Sequence, residues 1–585
     1  MVRGEIMARS WRGRGAVVAQ SWRSRGEIVA RSWRMQAHRG IPLHSRPMSH
    51  AANAPYRSAP TETTGMPSGI PFIIGNEAAE RFSFYGMKTI LAVFMAQYLM
   101  TSAGTPNYYT DSEAREWVAW FVASAYFFPV IGAFIADAFL GKYRTIMLLS
   151  MVYCLGHAAL ACIDLPPAIL QVTFEPKSWL IAGLFLVAVG SGGIKPCVSA
   201  HVGDQFGQAN KHLLTRVFGW FYFSINFGSF FSTLLTPWLL KNYGPGFAFG
   251  LPGILMALAT LVFWLGRNRY IHIPAKGWGF VRETFSRDGL RAIGGLVSIY
   301  VFVAVFWALY DQTGSAWVLQ AAQMNCDFAG IVWLESQIQA INPLLILIYI
   351  PIFSYLIYPF VGRFITLTPL RKIGAGLFLT VAAFSISALA QAKIDAAQEA
   401  FRAQVAPMVA SDSIDFAKTT DKLKSQERNA TAQSIEKLLA EAKPADAAWQ
   451  KSVSSALSVG GIAIAKDSTE HNADWPSIAW QIIAYLVITA AEVLVSVTCL
   501  EFSYTQAPPK MKSLVMSLYL LSVSAGNVLT ALVNRFTQDA DGNSTLVGAQ
   551  YYWFFTYLML GAAFVYIVVS QFYKPKDYLQ DAARA

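Results

Sequence analysis

Charge is scarce in this sequence. Asp, Glu, Lys and Arg make up 14% of its 585 residues, against roughly 25% in soluble domains. That shortage excludes an ordinary water-soluble enzyme. Cysteine is also rare, and Cys154, Cys162, Cys197, Cys326 and Cys499 show neither metal-ligand spacing nor a disulfide framework. The folded body lacks a basic patch as well. Of the net charge of +11, a surplus of nine falls in residues 1–60, which hold eleven Arg, no Lys and only two acids, Glu5 and Glu27. A nucleic-acid partner is therefore not expected.

What is abundant is apolar. Hydrophobic residues reach 54%, aromatics 14%, and mean hydropathy is +0.39. Runs long enough to cross a bilayer, about 20 residues each, recur beyond residue 70. They are expected at 72–100, 116–140, 144–164, 178–200, 216–240, 247–266, 293–313, 337–359, 371–392, 476–500, 512–534 and 550–572. Lys and Arg concentrate in alternate short loops, at Lys142, Arg144, Lys211, Arg267, Lys276, Arg371, Lys372, Lys510 and Lys574 among others. By the positive-inside rule both termini are then cytoplasmic. The expected fold is an all-α integral membrane protein with twelve helices in two six-helix bundles.

The expected divisions follow from composition. Residues 1–69 form a basic tail whose first 34 residues repeat RGEIMARSWR, RGAVVAQSWR and RGEIVARSWR at a period of 11. Such a segment could lie on an anionic membrane surface; the favoured reading is translated repetitive DNA, with Met35 or Met48 as the start. No apolar stretch follows that would make a cleavable signal peptide. A six-helix bundle at 70–266 precedes a basic cytoplasmic linker at 267–292. Helices 7–9 occupy 293–392, a polar, helix-prone insertion outside the membrane 393–475, helices 10–12 residues 476–573, and a cytoplasmic tail 574–585. The insertion is too polar to span and reads as accessory to transport.

Ionisable side chains in hydrocarbon are costly and mark function. In the first helix Glu77, Glu80, Arg81, Phe84, Tyr85 and Lys88 fall at offsets 0, 3, 4, 7, 8 and 11, one stripe of a helix. Four charges on one face cannot look at lipid. Lys195 follows GSGGI in the fourth helix, Asp311 lies four residues after Trp307 in the seventh, and Glu492 sits amid ITAAEVLVSV in the tenth. Lys88 with Asp311, and Lys195 with Glu492, are opposite charges from opposite halves. Such pairs could close one side of a central cavity and open when neutralised. Tyr126, Asn226 and Asn342 would complete the cavity, while His157 and His201 read as structural.

Several motifs in order carry a resemblance: GNEAAERFSFYG, GAFIADAFLGKYRTI, GSGGIKPCVSAHVGDQF, FYFSINFGSF, FWALYDQTGSAW and LEFSYTQAPPKMKS. Over residues 70–392 and 476–572 the chain resembles the proton-dependent oligopeptide transporter family of the major facilitator superfamily. The resemblance implies a symporter that imports di- and tripeptides with protons by alternating access. It would need no cofactor beyond the proton, work as a monomer and sit in a cell membrane, a bacterial inner membrane by expectation.

Carried over, Glu77, Glu80 and Arg81 would couple protons, with Arg81 near the peptide carboxylate. Lys195 would hold the carboxyl end and pair with Glu492, and Glu492 with Asn226 and Asn342 would bind the amino end. Lys88 and Asp311 would form an outer gate, with Asp311 also a proton site. Tyr85, Tyr126 and Trp307 would line side-chain pockets, Tyr519 would alter side-chain preference, and Asp137 would belong to a cytoplasmic hinge. Phe84 stands where the family has tyrosine and Lys88 where arginine is usual, which loses a bidentate grip on Asp311. Ala119 takes the place of the proton-linked histidine of animal members. A nitrate carrier, a non-transporting peptide sensor and a membrane enzyme are weaker readings.

Overall fold

The computed structural model describes residues 56–58, 63–165, 174–207, 209–275, 277, 287–441, 446–506 and 512–573. The N-terminal repeat, Met35, Met48, much of the 267–292 linker, Lys510 and the tail from 574 lie outside them. The first six long helices are α1 (Ile70–Gln97), α2 (Asp111–Ile135), α3 (Lys142–Ala161), α4 (Pro176–Asp204), α5 (Leu214–Tyr243) and α6 (Pro245–Leu265). The second six are α7 (Arg287–Tyr310), α8 (Ile341–Ile352), α9 (Pro369–Ala410), α10 (Ala479–Glu492), α11 (Lys512–Phe536) and α12 (Ala549–Phe572).

Among the described residues, ten helical runs are long and apolar enough to cross a bilayer. The helices α1 and α5 are as long, at 28 and 30 residues, and fall outside that set because polar and charged side chains dilute them. Each half has its own apolar core, and Tyr126 packs on both. Two membrane-spanning bundles thus face each other.

Small residues let helices touch by backbone. A Cβ on Gly132 of α2 would collide with the backbone of Gly193 in α4. One on Gly228 of α5 would meet the carbonyl oxygen of Ala78 in α1 at 2.5 Å. Gly526 of α11 lies equally close to the α7 backbone at Ala304.

Several helices depart from regularity where the sequence suggested uninterrupted spans. The seventh stops being α-helical at Tyr310, and Asp311–Gly314 continues as a 3₁₀ turn before a short helix at Ala316–Ala321. The π-helical turns Ala136–Leu140, Phe353–Ile357 and Val493–Val497 extend α2, α8 and α10. Such turns rotate the following side chains and are frequent at functional sites.

The division at 392 needs correction. No breaker interrupts the Ala- and Gln-rich stretch there, so α9 runs unbroken to Ala410 and carries the insertion on its end. The insertion adds helices Phe416–Ser425, Asn429–Ala440 and Ala447–Gly460, with an antiparallel hairpin β3 pairing Ile462–Ile464 with β4 at Glu470–Asn472; β1 (Asp327–Phe328) and β2 (Ile331–Val332) form a smaller hairpin nearer α8. It has a core of its own, built on Phe401, Val405, Leu423, Ile435 and Leu457.

Candidate functional site

A cavity of about 260 Å³ lies between the bundles. Tyr85, Lys88, Tyr126 and Asn226 line it from the first bundle, and Trp307, Asp311, Asn342, Glu492 and Tyr519 from the second. These are nine of the residues singled out from sequence. The spacing of Trp307 and Asp311 works as expected, with indole and carboxylate sharing one wall. Asn226 is anchored to the Tyr222 carbonyl at 3.0 Å, and Tyr519 shares a hydrogen bond with Ser496 at 2.8 Å.

Lys88 Nζ lies 2.8 Å from Asp311 Oδ1, joining α1 to the turn after α7. A lysine makes one contact where a guanidinium could make two. The second carboxylate oxygen is taken instead by Asn527 of α11, whose amide donates to Oδ2 at 2.7 Å. The 3₁₀ turn brings Gly314 against the Lys88 stem. Around this bridge, Gln339 donates to the Thr89 carbonyl at 3.2 Å and Gln337 to the Leu234 carbonyl at 2.8 Å. Thr110 donates to the Gly542 carbonyl at 2.6 Å, and Ser524 to the Ala123 carbonyl at 2.7 Å. These bonds tie the bundles from mid-depth to the helix ends on the side of the insertion and hold that end of the cavity closed.

The stripe on α1 divides in two. Tyr85 and Lys88 reach the cavity, whereas Glu77, Glu80 and Arg81 lie a turn or more deeper, packed within the first bundle. The i,i+4 spacing puts Arg81 Nε 2.7 Å from Glu77 Oε1, and it also sits 2.9 Å from Glu80 Oε2. Ser191 of α4 donates to the other Glu80 oxygen at 3.0 Å. Two carboxylates thus share one guanidinium, and all three groups are buried.

The expected pairing of Lys195 with Glu492 is absent and is corrected here. Glu492 Oε2 accepts 2.7 Å hydrogen bonds from the Tyr310 hydroxyl and from the Asn342 amide, which also reaches the Thr489 hydroxyl. Neutral donors already satisfy it. Lys195 Nζ lies behind the cavity wall, 4.0 Å from the centre of the Phe84 ring and 4.1 Å from that of Tyr126. It is buried there with no hydrogen-bond partner. Cation–π attraction holds it. Phe84 therefore supports the ammonium from inside the core rather than facing the cavity.

Asp137 sits in the π-helical turn after α2, before Gly141 with its φ of 76°. Close by in the chain, Lys142 Nζ bridges to Asp204 Oδ2 at 2.6 Å. His157 is buried against α6 with Nδ1 3.3 Å from the Phe249 carbonyl, and His201 packs on Phe263 and Tyr270. Sequence reasoning missed Tyr310, Asn527, Ser191 and Gln339. Two signals could have found some of them: the adjacency of Tyr310 to Asp311, and the amide directly after Gly526 in a largely apolar helix. No cluster of His, Cys, Asp and Glu among the described residues could hold a metal.

Comparison with known proteins agrees with this fold. A family model described as the POT family matches residues 143–287, 280–416 and 452–554. Solute carrier family 15 member 2 of Mus musculus is 30% identical over 673 aligned positions, covering 87% of this chain and 90% of the relative. Peptide transporter family 1 of Drosophila melanogaster is 29% identical, covering 88% and 89%. Among solved structures, an auto-inhibited POT family peptide transporter superimposes with a TM-score of 0.66 at 30% identity, covering 88% of this chain and 98% of its own. The POT family transporter PepTSo gives 0.65 at 31%, covering 87% and 99%.

Proposed function

From its place in the POT family, to which this chain belongs, we propose that it imports di- and tripeptides together with protons by alternating access. The relatives it matches are named as peptide transporters, and peptide transport is the activity of this chain. The observation that carries the mechanism is the opposed character of the two cavity walls. The second bundle presents Glu492, a carboxylate held only by neutral donors. The first bundle supplies Lys88 at the wall itself, with Lys195 and Arg81 buried behind it. A zwitterionic peptide matches that polarity, with its ammonium at Glu492 beside Asn226 and Asn342, and its carboxylate drawn toward Lys195 and Arg81.

Glu77 and Glu80 share Arg81, so binding one proton leaves the other carboxylate and the guanidinium balanced. A peptide carboxylate that engages Arg81 releases an acid to be protonated, which links cargo to proton. Each proton moving inward brings about 2.3 kcal/mol per 100 mV. Lys88 and Asp311 act as the outer gate, and protonation of Asp311 would free Lys88. Tyr85, Tyr126, Trp307 and Tyr519 offer apolar surface to side chains without specific hydrogen bonding, which suits broad tolerance. Asp137 would flex with the turn between α2 and α3. The carrier works as a monomer in a cell membrane, with both termini cytoplasmic, and needs no bound cofactor.

Reconstituted protein should accumulate labelled dialanine against its gradient when an inward pH gradient is imposed. Accumulation should cease when a protonophore collapses it, and unlabelled dipeptides should compete where nitrate does not. Equal filling with and without the gradient would refute coupling, and competition by nitrate alone would refute peptide as cargo.

A further inference from the structure

The outer mouth is closed by more than the bundles. At the join of two insertion helices, the turn Glu427–Arg428–Asn429 reaches both halves at once. Toward the first bundle, Lys241 Nζ at the end of α5 lies 3.3 Å from Glu427 Oε1. The Asn429 amide donates to the Gln97 carbonyl at 3.0 Å, and the Ala430 N–H donates to Gln97 Oε1 at 2.9 Å, both at the end of α1. Toward the second bundle, Arg428 donates to the Ala322 carbonyl at 3.3 Å, just past the short helix that follows α7.

The turn is not a loose loop that happens to rest there. Arg428 also donates to the Gly460 carbonyl and lies over the Trp475 ring, which roots it in the insertion. Glu427 has a φ of 64°, a left-handed conformation that a residue with a long side chain adopts only where surroundings impose it. The insertion itself belongs to the second bundle. It grows from α9 without a break, the Gln398 amide donates to Gln323 at 3.0 Å, and its last segment hydrogen-bonds Asn325 through Pro476 and Ile478. A body fixed to one half therefore grips the other half at two helix ends.

We propose that the Glu427–Asn429 turn is part of the outer gate, a clasp that must let go of Gln97 and Lys241 before the outer mouth opens. Its strength then sets the balance between outward-facing and inward-facing forms. The idea rests on alternating access as proposed above and assigns the insertion a gating role.

The test uses right-side-out vesicles containing the full chain with Thr233→Cys and Cys326→Ser. Thr233 lines the cavity on its α5 side, so a membrane-impermeant maleimide added outside labels a cysteine at position 233 only when the outer mouth opens, and peptide mapping reads that position apart from the half-buried Cys162 and every other thiol. Adding Glu427→Ala and Asn429→Ala, which removes one ion pair and one hydrogen bond to the first bundle, should raise the labelling rate about tenfold. Gln97→Ala, which acts from the bundle side and leaves the insertion intact, should raise it about threefold. An oxidised Gln97→Cys/Asn429→Cys pair should suppress labelling, and a reductant should restore it. Unchanged labelling in the alanine variants, or labelling of the cross-linked form at the reduced rate, overturns the clasp. Dialanine uptake in the same vesicles separates the two ideas. Shifted labelling without uptake in the parent counts against peptide as cargo and leaves the clasp standing, whereas uptake with unshifted labelling removes the clasp alone.

Discussion

The two bundles handle buried charge in different ways. In the first, Glu77 and Glu80 share Arg81 within a single helix, and Ser191 adds one donor from α4. In the second, Asp311 and Glu492 are held by neutral groups: Asn527 for one, Tyr310 and Asn342 for the other. Of these two, Asp311 alone has a cation, and Lys88 lends it from across the cavity. The first bundle thus keeps a self-contained charge cluster, and the second keeps carboxylates whose partners can be exchanged. A group held by neutral donors can accept an ammonium or a proton without breaking an ion pair, whereas the shared guanidinium turns any change at one acid into a change at the other.

Substitutions can break or sharpen that contrast. The largest effect is expected at Glu80→Gln, which should abolish proton-driven accumulation while leaving dialanine counterflow. Driven uptake at the parental level would remove Glu80 from coupling. Next, Lys88→Ala strands a buried carboxylate and should lower stability by about 3–5 kcal/mol, read as a fall in melting temperature in detergent, with partial recovery in Lys88→Ala/Asp311→Ala. Lys195→Ala strands no carboxylate, so its melting temperature should fall much less. Equal falls would mean that Lys195 has an ionic partner after all.

Glu492→Gln should weaken dialanine about 10- to 100-fold, the range of one charge-assisted hydrogen bond. The N-acetylated analogue, which has no ammonium, should be weakened far less in the same competition assay. Similar losses for both ligands would place the peptide's amino end elsewhere. Asn527→Ala should cost about 1 kcal/mol of stability, visible as a small melting shift that disappears in an Asp311→Ala background.

The smallest effect concerns the insertion against the bundles. Backbone hydrogen bonds from Lys418 to Asp415 and from Thr469 to Asp467 hold both carboxyls below their ordinary value of 3.8. Their contribution is present above that value and is lost as pH falls through the depressed one. Protection from hydrogen exchange near 413–418 and 465–469, taken relative to the intrinsic rate at each pH, should therefore fall below about pH 4 before that of α1 or α7. Unaltered protection at pH 3 would show that these caps contribute nothing.

Much of this could be read from the chain because membrane helices obey a simple solvent rule. Apolar runs marked the spans, and charges inside them marked the cavity: Lys88, Asp311 and Glu492 all line it. What escaped the sequence depended on side-chain direction. Offsets put Glu77 and Lys88 on one stripe, yet that stripe runs from the interior of one bundle out to the cavity, and no periodicity reports where it crosses. Lys195 was assigned a carboxylate because opposite charges attract. In the fold the aromatic faces of Phe84 and Tyr126 were nearer, and Tyr310 had already met Glu492. The helix break at Asp311 was hidden for a related reason, since no proline announces it and the turn is stabilised by contacts with α1. The end of α9 was misplaced because hydropathy reports where lipid stops, and Ala- and Gln-rich sequence stays helical well beyond that point.

That long helix has a mechanical consequence. Its 42 residues make a rod about 63 Å long at 1.5 Å per residue, roughly twice the thickness of the hydrocarbon. About half of it projects beyond the lipid, so a few degrees of tilt in the second bundle become several ångströms of travel at its far end. A fluorophore or antibody fragment anchored near Arg402 would serve as a pointer, reading the carrier's posture from beyond the lipid without entering the path its cargo takes.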